Sequence, residues 1–225
     1  MNGRRNRNDN PMDRVRRVFD AAAPWYRLFD RFFRTLNREL IEEIRRHMPL
    51  TEETRILEVC CGTGLFARML SELGGRVIAV DISPRMIEIA KRYDTTGAVD
   101  FRVADARDPS LADDGPFDLV IESLGLHALD PDIRAGIVDG MRRHTKHRAL
   151  FIEPTGRGGG PLVRAINDIL ERLEGGYEDY RSFISMDFSE YLKGHGFIPH
   201  RLQSRRDERT AVFLCEVRRG GDDTD

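Results

Sequence analysis

The stretch from Arg55 to Asp81 constrains this chain most. It holds a short apolar run, Arg55 to Cys60, then a turn carrying Gly62 and Gly64. A helical repeat follows from Leu65 to Leu73, and a second apolar run, Arg76 to Val80, ends on Asp81. Short apolar runs joined by a helical repeat fit parallel strands covered on both faces. Gly74-Gly75 stops the helix between them. Glycines after a strand let the backbone turn sharply and approach a ligand closely. An acid at the tip of the next strand can accept hydrogen bonds from both hydroxyls of a ribose. The ordered set of strand, glycine turn, helix, strand and acid is a far more specific signal than the glycines alone. The plain alternative is a tight turn beside a solvated Asp81.

The same alternation continues downstream. Val99 to Val103, Phe117 to Ile121 and Arg148 to Ile152 read as strands, the second set up by Asp114-Gly115-Pro116 and the third ended by Pro154. Helices open at Ser83-Pro84 and Asp130-Pro131, where the first residue can cap and the proline suits the first turn. Asp187 with Glu190 forms a capping-box pattern for a helix ending near Gly194 to Gly196. Phe197 to Leu202 and Ala211 to Val217, joined by the polar link Ser204 to Arg209, suggest an antiparallel final pair. The expected fold is α/β: a Rossmann-like doubly wound seven-stranded sheet, mostly parallel with an antiparallel last strand, plus N-terminal helices.

In those N-terminal helices, Val15, Val18, Phe19 and Ala22 fall at helical spacing, and Pro24 is expected to interrupt them. A longer amphipathic stretch from Trp25 to Ile44 follows, ended by Pro49. Its aromatics Phe29, Phe32 and Phe33 read as packing against the sheet. The expected organisation is a tail at 1–12, a helical lid at 13–50, a main domain at 51–218 and a tail at 219–225. Residues 155–186 would form an inserted lid over the acceptor, with a glycine hinge at 158–160 and a helix from Pro161 to about Leu173.

Composition excludes several classes. The 36 basic and 38 acidic residues leave a net charge of -2, which argues against a large nucleic-acid-binding face. No apolar run approaches the roughly 18 residues of a membrane span, and no secretory signal is visible. Three cysteines, Cys60, Cys61 and Cys215, make neither a disulfide framework nor a zinc spacing. A cytoplasmic setting is expected.

Glu58 selects the cofactor. It ends the first strand, just before the turn. Dinucleotide sites place a pyrophosphate on the following helix N-terminus, and a carboxylate beside it would repel that group. A ligand carrying an ammonium and a sulfonium would be attracted, and S-adenosylmethionine (SAM) has both.

Arg55 to Val217 resembles the class I SAM-dependent methyltransferases. The turn Glu58 to Gly64, the segment Asp81-Ile82-Ser83-Pro84-Arg85-Met86 and the triplet Ala104-Asp105-Ala106 match that family's ordered motifs. The resemblance implies that Glu58 faces the methionine ammonium, while Gly62 and Gly64 pack against the cofactor. It implies Asp81 on the ribose, Ile82 or Met86 beside the adenine, Asp105 on the adenine amino group and Ala106 in backbone contact. Cys60 stands where the family usually has its first glycine. It is read as a compact turn residue whose φ stays negative, not as a nucleophile.

A general base, needed where the acceptor must lose a proton, should lie after the fourth strand, along Glu122-Ser123-Leu124-Gly125-Leu126-His127. His127 is the candidate general base; the other reading is a substrate-positioning histidine. Glu122, at the strand end, could touch the methionine moiety. Val18 to Tyr26 resembles the lead-in of the ubiquinone/menaquinone C-methyltransferase branch, where an aromatic helps close the cofactor pocket, a role Tyr26 could take. Arg27 and Ile152-Glu153-Pro154-Thr155-Gly156 depart from that branch, so its quinone substrate is not carried over. Tyr177, Tyr180 and Phe183 could line an apolar acceptor cavity. The expected activity is methyl transfer from SAM to a small organic acceptor at oxygen, nitrogen or carbon. The alternatives are a protein or RNA acceptor, and a non-catalytic SAM-binding scaffold.

Overall fold

The computed structural model describes residues 11–157, 177–202 and 210–218. Strands form where the short apolar runs predict them: β1 (Arg55–Val59), β2 (Arg76–Asp81), β3 (Val99–Val103), β4 (Phe117–Ser123) and β5 (Thr145–Pro154). β6 (Phe197–Leu202) and β7 (Thr210–Val217) complete one seven-stranded sheet. Its order is β3-β2-β1-β4-β5-β7-β6. All pairs from β3 to β5 are parallel, and β7 runs antiparallel to both of its neighbours. The antiparallel final pair is as expected from the sequence. β7 enters between β5 and β6, which leaves β6, with its Pro199, at an edge where a missing N–H is tolerated.

β1 pairs with β2 on one side and β4 on the other. The chain reverses its direction of travel across the sheet at this point. A crevice opens there at the carboxyl ends of the strands, the usual ligand position in open α/β sheets.

Helices cover both faces. α1 (Pro11–His47), α2 (Leu65–Ser71) and α3 (Pro84–Tyr93) precede α4 (Pro131–His144), α5 (Tyr177–Ser185) and α6 (Phe188–Gly194). Alternate residues of β1 serve two cores. Ile56 packs with Leu40, Ile41 and Ile44 of α1 and with α2, while Leu57 packs with α4 and with Phe183 and Phe188. The caps form as the sequence predicts. Ser83 Oγ accepts from Met86 N, Asp130 from Asp132 N, and Asp187 from Glu190 N.

Two expectations need correction. Pro24 does not divide the N-terminal segment, because α1 is one helix of 37 residues with Pro24 inside it. A proline removes one N–H bond, and tertiary contacts on both sides outweigh that loss. Val15 and Phe19 pack on the core before it, Ala23 is fully buried, and Leu40, Ile41 and Ile44 pack after it. The helix also starts at Pro11, inside the expected tail. The expected tails at 1–10 and 219–225, the hinge at 158–160 and the helix from Pro161 lie outside the described residues, as do the side chains of Tyr26, Phe29, Phe32 and Phe33. Among the described residues, no helix is long and apolar enough to cross a membrane.

Gly64, which precedes α2, has φ 69°, and a Cβ there would fall 2.4 Å from Phe101 Cε1. Gly64→Ala should therefore cost about 2–4 kcal/mol through left-handed strain and overpacking, read as a lower urea midpoint at unchanged slope.

Candidate active site

The crevice is a cavity walled by the turn after β1, by Asp81, Ile82 and Met86, by Ala104 to Ala106, and by Ser123 to Gly125. Met12, Val15 and Phe19 of α1 roof it. The lining is mainly apolar, with a few carboxyl groups set into it.

Glu58 is 2% exposed, and its Oε2 has no hydrogen-bond partner among the described residues. Burial pushes its carboxyl up to about 8, against the backbone N–H of Ala67 and the nearby Arg68. Asp81 is also buried, but better satisfied. Its Oδ2 accepts from Gly62 N at 2.8 Å and its Oδ1 from Ser83 N at 2.9 Å. Burial raises it to about 6 despite these bonds. Each oxygen keeps a second lone pair.

Ser83 also ties α1 to this site. Its Oγ donates to Asp20 Oδ1 at 2.5 Å, and Arg85 N donates to the same oxygen at 3.3 Å. Nothing in the sequence marks Asp20 for this role, because it is one of many acids on an amphipathic helix.

The other candidates divide. Ile82, Met86 and Ala106 line the cavity. Gly62 has φ 52° and serves mainly to aim its N–H at Asp81. Gly64 instead makes room for Phe101 in the core. Asp105 lines the cavity but is engaged locally by Arg107. Burial pushes its carboxyl up, yet the Arg107 guanidinium, 2.7 Å away, and the Arg107 N–H hold it below the usual range.

Cys60 departs from its expectation, because its φ is +55°. The left-handed turn is retained with a side chain in place of hydrogen. Space for it comes from across the crevice, where a Cβ on Gly125 would lie 2.7 Å from Cys60 Cβ. Burial and surrounding carboxylates push the Cys60 thiol well up, so no reactive thiolate forms.

Glu122 is fully buried at the end of β4. Its Oε1 accepts from Gly125 N at 2.5 Å, and the carboxyl turns toward Glu153. His127 is brought to the same place. Its Nδ1 lies 2.8 Å from Glu153 Oε2, and its ring meets Tyr180 and Phe183 edge-on at 6.0 and 6.3 Å. Glu153, 1% exposed, also accepts from Leu126 N at 2.7 Å. Sequence reasoning missed Glu153. The available signal was the one that found Glu58, an acid closing an apolar strand at the carboxyl edge.

A family model described as a methyltransferase domain matches residues 56–148. A ubiquinone biosynthesis O-methyltransferase from Xanthomonas euvesicatoria pv. vesicatoria (strain 85-10) is 31% identical over 215 residues, which are 87% of this chain and 86% of that relative. The chain belongs to the SAM-dependent methyltransferases. A magnesium-protoporphyrin O-methyltransferase from Rhodobacter capsulatus is 40% identical to this methyltransferase over 157 residues, which span 59% of the chain and 66% of the relative. The fold also matches magnesium protoporphyrin IX methyltransferase from Synechocystis PCC 6803 with bound SAH. The TM-score is 0.68 at 15% identity, covering 93% of this chain and 100% of that one.

Cys60 and Gly125 join the turn after β1 of the methyltransferase to the loop that bears His127. Gly125→Ala should lower thermal stability and SAM affinity together, and Cys60→Gly in the same chain should restore most of both. A double-mutant cycle should give a coupling of about 1 kcal/mol or more.

Proposed function

We propose that this methyltransferase moves the methyl group of SAM to a hydroxyl oxygen of a small, largely apolar organic acceptor, with His127 as general base. The observation that carries this reading is the 2.8 Å contact between His127 Nδ1 and Glu153 Oε2 at the carboxyl edge of β5. A carboxylate there favours the tautomer with the ring proton on Nδ1 and the basic lone pair on Nε2. Such a base is needed when the attacking atom carries a proton it must lose. The relatives support the class, since their names describe O-methyl transfer in ubiquinone biosynthesis and on magnesium protoporphyrin.

When bound, SAM supplies an electrophilic methyl carbon on a sulfonium that leaves as a neutral thioether. The protein's part is to hold, orient and deprotonate. Glu58 Oε2 is a buried acceptor lacking a partner, and the methionine ammonium would provide one. Asp81 would take the ribose hydroxyls on its remaining lone pairs, with Ile82 and Met86 along the adenine. His127 would receive the acceptor's proton on Nε2 as the oxygen attacks, and Glu153 would stabilise the imidazolium that forms. α1, through Met12, Val15 and Phe19, would close the site from above. The free cysteines Cys60, Cys61 and Cys215 favour a reducing, cytoplasmic setting.

Three outcomes test this reading. Isothermal titration should show SAM binding that weakens about tenfold or more in Glu58→Gln and in Asp81→Ala. Wild-type affinity should rise with pH across the range below about 8, because Glu58 must lose its proton to meet the ammonium. The rise should level off near that pH, as the ligand's own α-amine begins to lose charge, and Glu58→Gln should flatten it. With a panel of phenolic and aliphatic hydroxyl compounds, His127→Ala should lose about 10²-fold or more in kcat while KM changes little. Transfer to RNA or protein but to no small hydroxyl compound would sink the proposal, as would SAM binding without any transfer.

A further inference from the structure

We propose that Glu122 and Glu153 share one proton, that Glu122 keeps it, and that Glu122 thereby acts as a positioning residue for His127. This rests on His127 being the base, but the shared proton itself can be observed without any methyl transfer.

β4 and β5 are parallel neighbours, with Glu122 opposite Phe151. Glu153 lies two residues beyond Phe151, so both acids project from the same face of the sheet. Glu122 is 0% and Glu153 1% exposed. Two carboxylates in such a place cannot both stay ionised, because their repulsion adds to the cost of taking each from water.

The hydrogen-bond pattern says which one holds the proton. Both Glu153 oxygens have partners: Oε1 accepts from Leu126 N at 2.7 Å, and Oε2 lies 2.8 Å from His127 Nδ1, which donates in the tautomer that carries its proton there. Glu122 Oε1 receives Gly125 N at 2.5 Å, while its Oε2 is buried with no donor among the described residues. A buried oxygen with no partner among the described residues, beside a carboxyl group whose two oxygens are both engaged, is where the proton belongs. Its O–H then donates to Glu153 and leaves the negative charge next to His127.

The surrounding charges agree with one negative charge rather than two. From α4, Arg134 donates Nε to Leu126 O at 3.1 Å and Nη2 to Leu129 O at 2.9 Å, and it is the cation close to the pair. The Cys60 thiol also faces the pair, Tyr180 on α5 meets His127, and Tyr191 on α6 neighbours Arg134. Burial pushes both Cys60 and Tyr191 toward their neutral forms. Burial, then the charge of Glu153, also pushes Glu122 far above the usual carboxylate range.

The arrangement matters for the base. If Glu153 held the proton, His127 Nδ1 would have to accept it, and the ring's other proton would occupy Nε2. The imidazole could then accept nothing from a substrate. With the proton on Glu122, Nδ1–H stays fixed, and the acceptor's proton moves to Nε2 while the proton of Glu122 stays where it is.

The test compares a neutral isostere at each position. Difference infrared spectroscopy of wild type against Glu122→Gln should show, at neutral pH, the carbonyl stretch of a protonated carboxylic acid, shifted in D2O. Glu122→Gln should keep kcat/KM within about fivefold and keep the pH profile, since an amide N–H can replace the acid O–H. Glu153→Gln should lose about 10²-fold in kcat with little change in KM, and its acid limb should move to lower pH. Glu122→Leu, which cannot donate, should fall with Glu153→Gln, its folding checked by circular dichroism. Absence of the infrared band would overturn the shared proton. A band together with Glu122→Gln as impaired as Glu153→Gln would overturn the positioning role. If His127→Ala were fully active, the base reading would fail, while the band would still report on the pair.

Discussion

Glu58, Asp81, Glu122 and Glu153 end four neighbouring strands, β1, β2, β4 and β5, and each is 8% exposed or less. Burying carboxyl groups is costly unless they are hydrogen-bonded or neutralised. The turns beyond the strands are shaped by that cost. Gly62 N and Ser83 N point at Asp81, Gly125 N at Glu122, and Leu126 N at Glu153. To aim donors in this way the backbone accepts positive φ at Cys60, Gly62 and Leu124. Left-handed non-glycine residues cost free energy and persist where their surroundings over-determine them, which here means around buried acids.

Carboxyl groups in one crevice differ because their surroundings differ. Glu58 presents, in a wall of the cavity, an oxygen with no partner among the described residues. Asp81 is held on both oxygens by backbone donors. Glu122 and Glu153 lie side by side at the ends of β4 and β5, and Glu153 also meets Leu126 N and His127. Pushing the affinities of neighbouring acids for protons apart is how one fold runs binding and acid–base chemistry at a single pH.

The elements around Asp81 were legible in the sequence because they depend on local rules. Apolar runs of strand length, glycines at a turn and the caps Ser83, Asp130 and Asp187 act within a few residues of themselves. What escaped depends on partners far away in the chain. Pro24 has a local helix-breaking tendency that contacts from Phe19 and from Ile44 override. The sign of φ at Cys60 is set by the space Gly125 leaves. Glu153 looked like a strand end until β5 was placed beside β4, where it meets both Glu122 and His127. Gly64 was assigned to a ligand because glycine turns generally approach ligands, whereas here Phe101 claims the space.

The two halves of the crevice are not independent. On one side, Ser83 donates its N–H to Asp81 and its hydroxyl to Asp20, so Asp81 and the roof helix α1 are held by one residue. On the other, Gly125 gives its N–H to Glu122 while its missing side chain accommodates Cys60. The turn after β1 therefore cannot shift without disturbing the loop that carries His127. That loop is fastened from below by Arg134, which spends its N–H groups on Leu126 O and Leu129 O while its guanidinium lies 4.9 Å from the centre of the Phe183 ring. Burial lowers the proton affinity of Arg134, and the nearby Glu153 is among the groups that oppose the shift. The position of the His127 loop thus depends on the same buried arginine that neighbours Glu153.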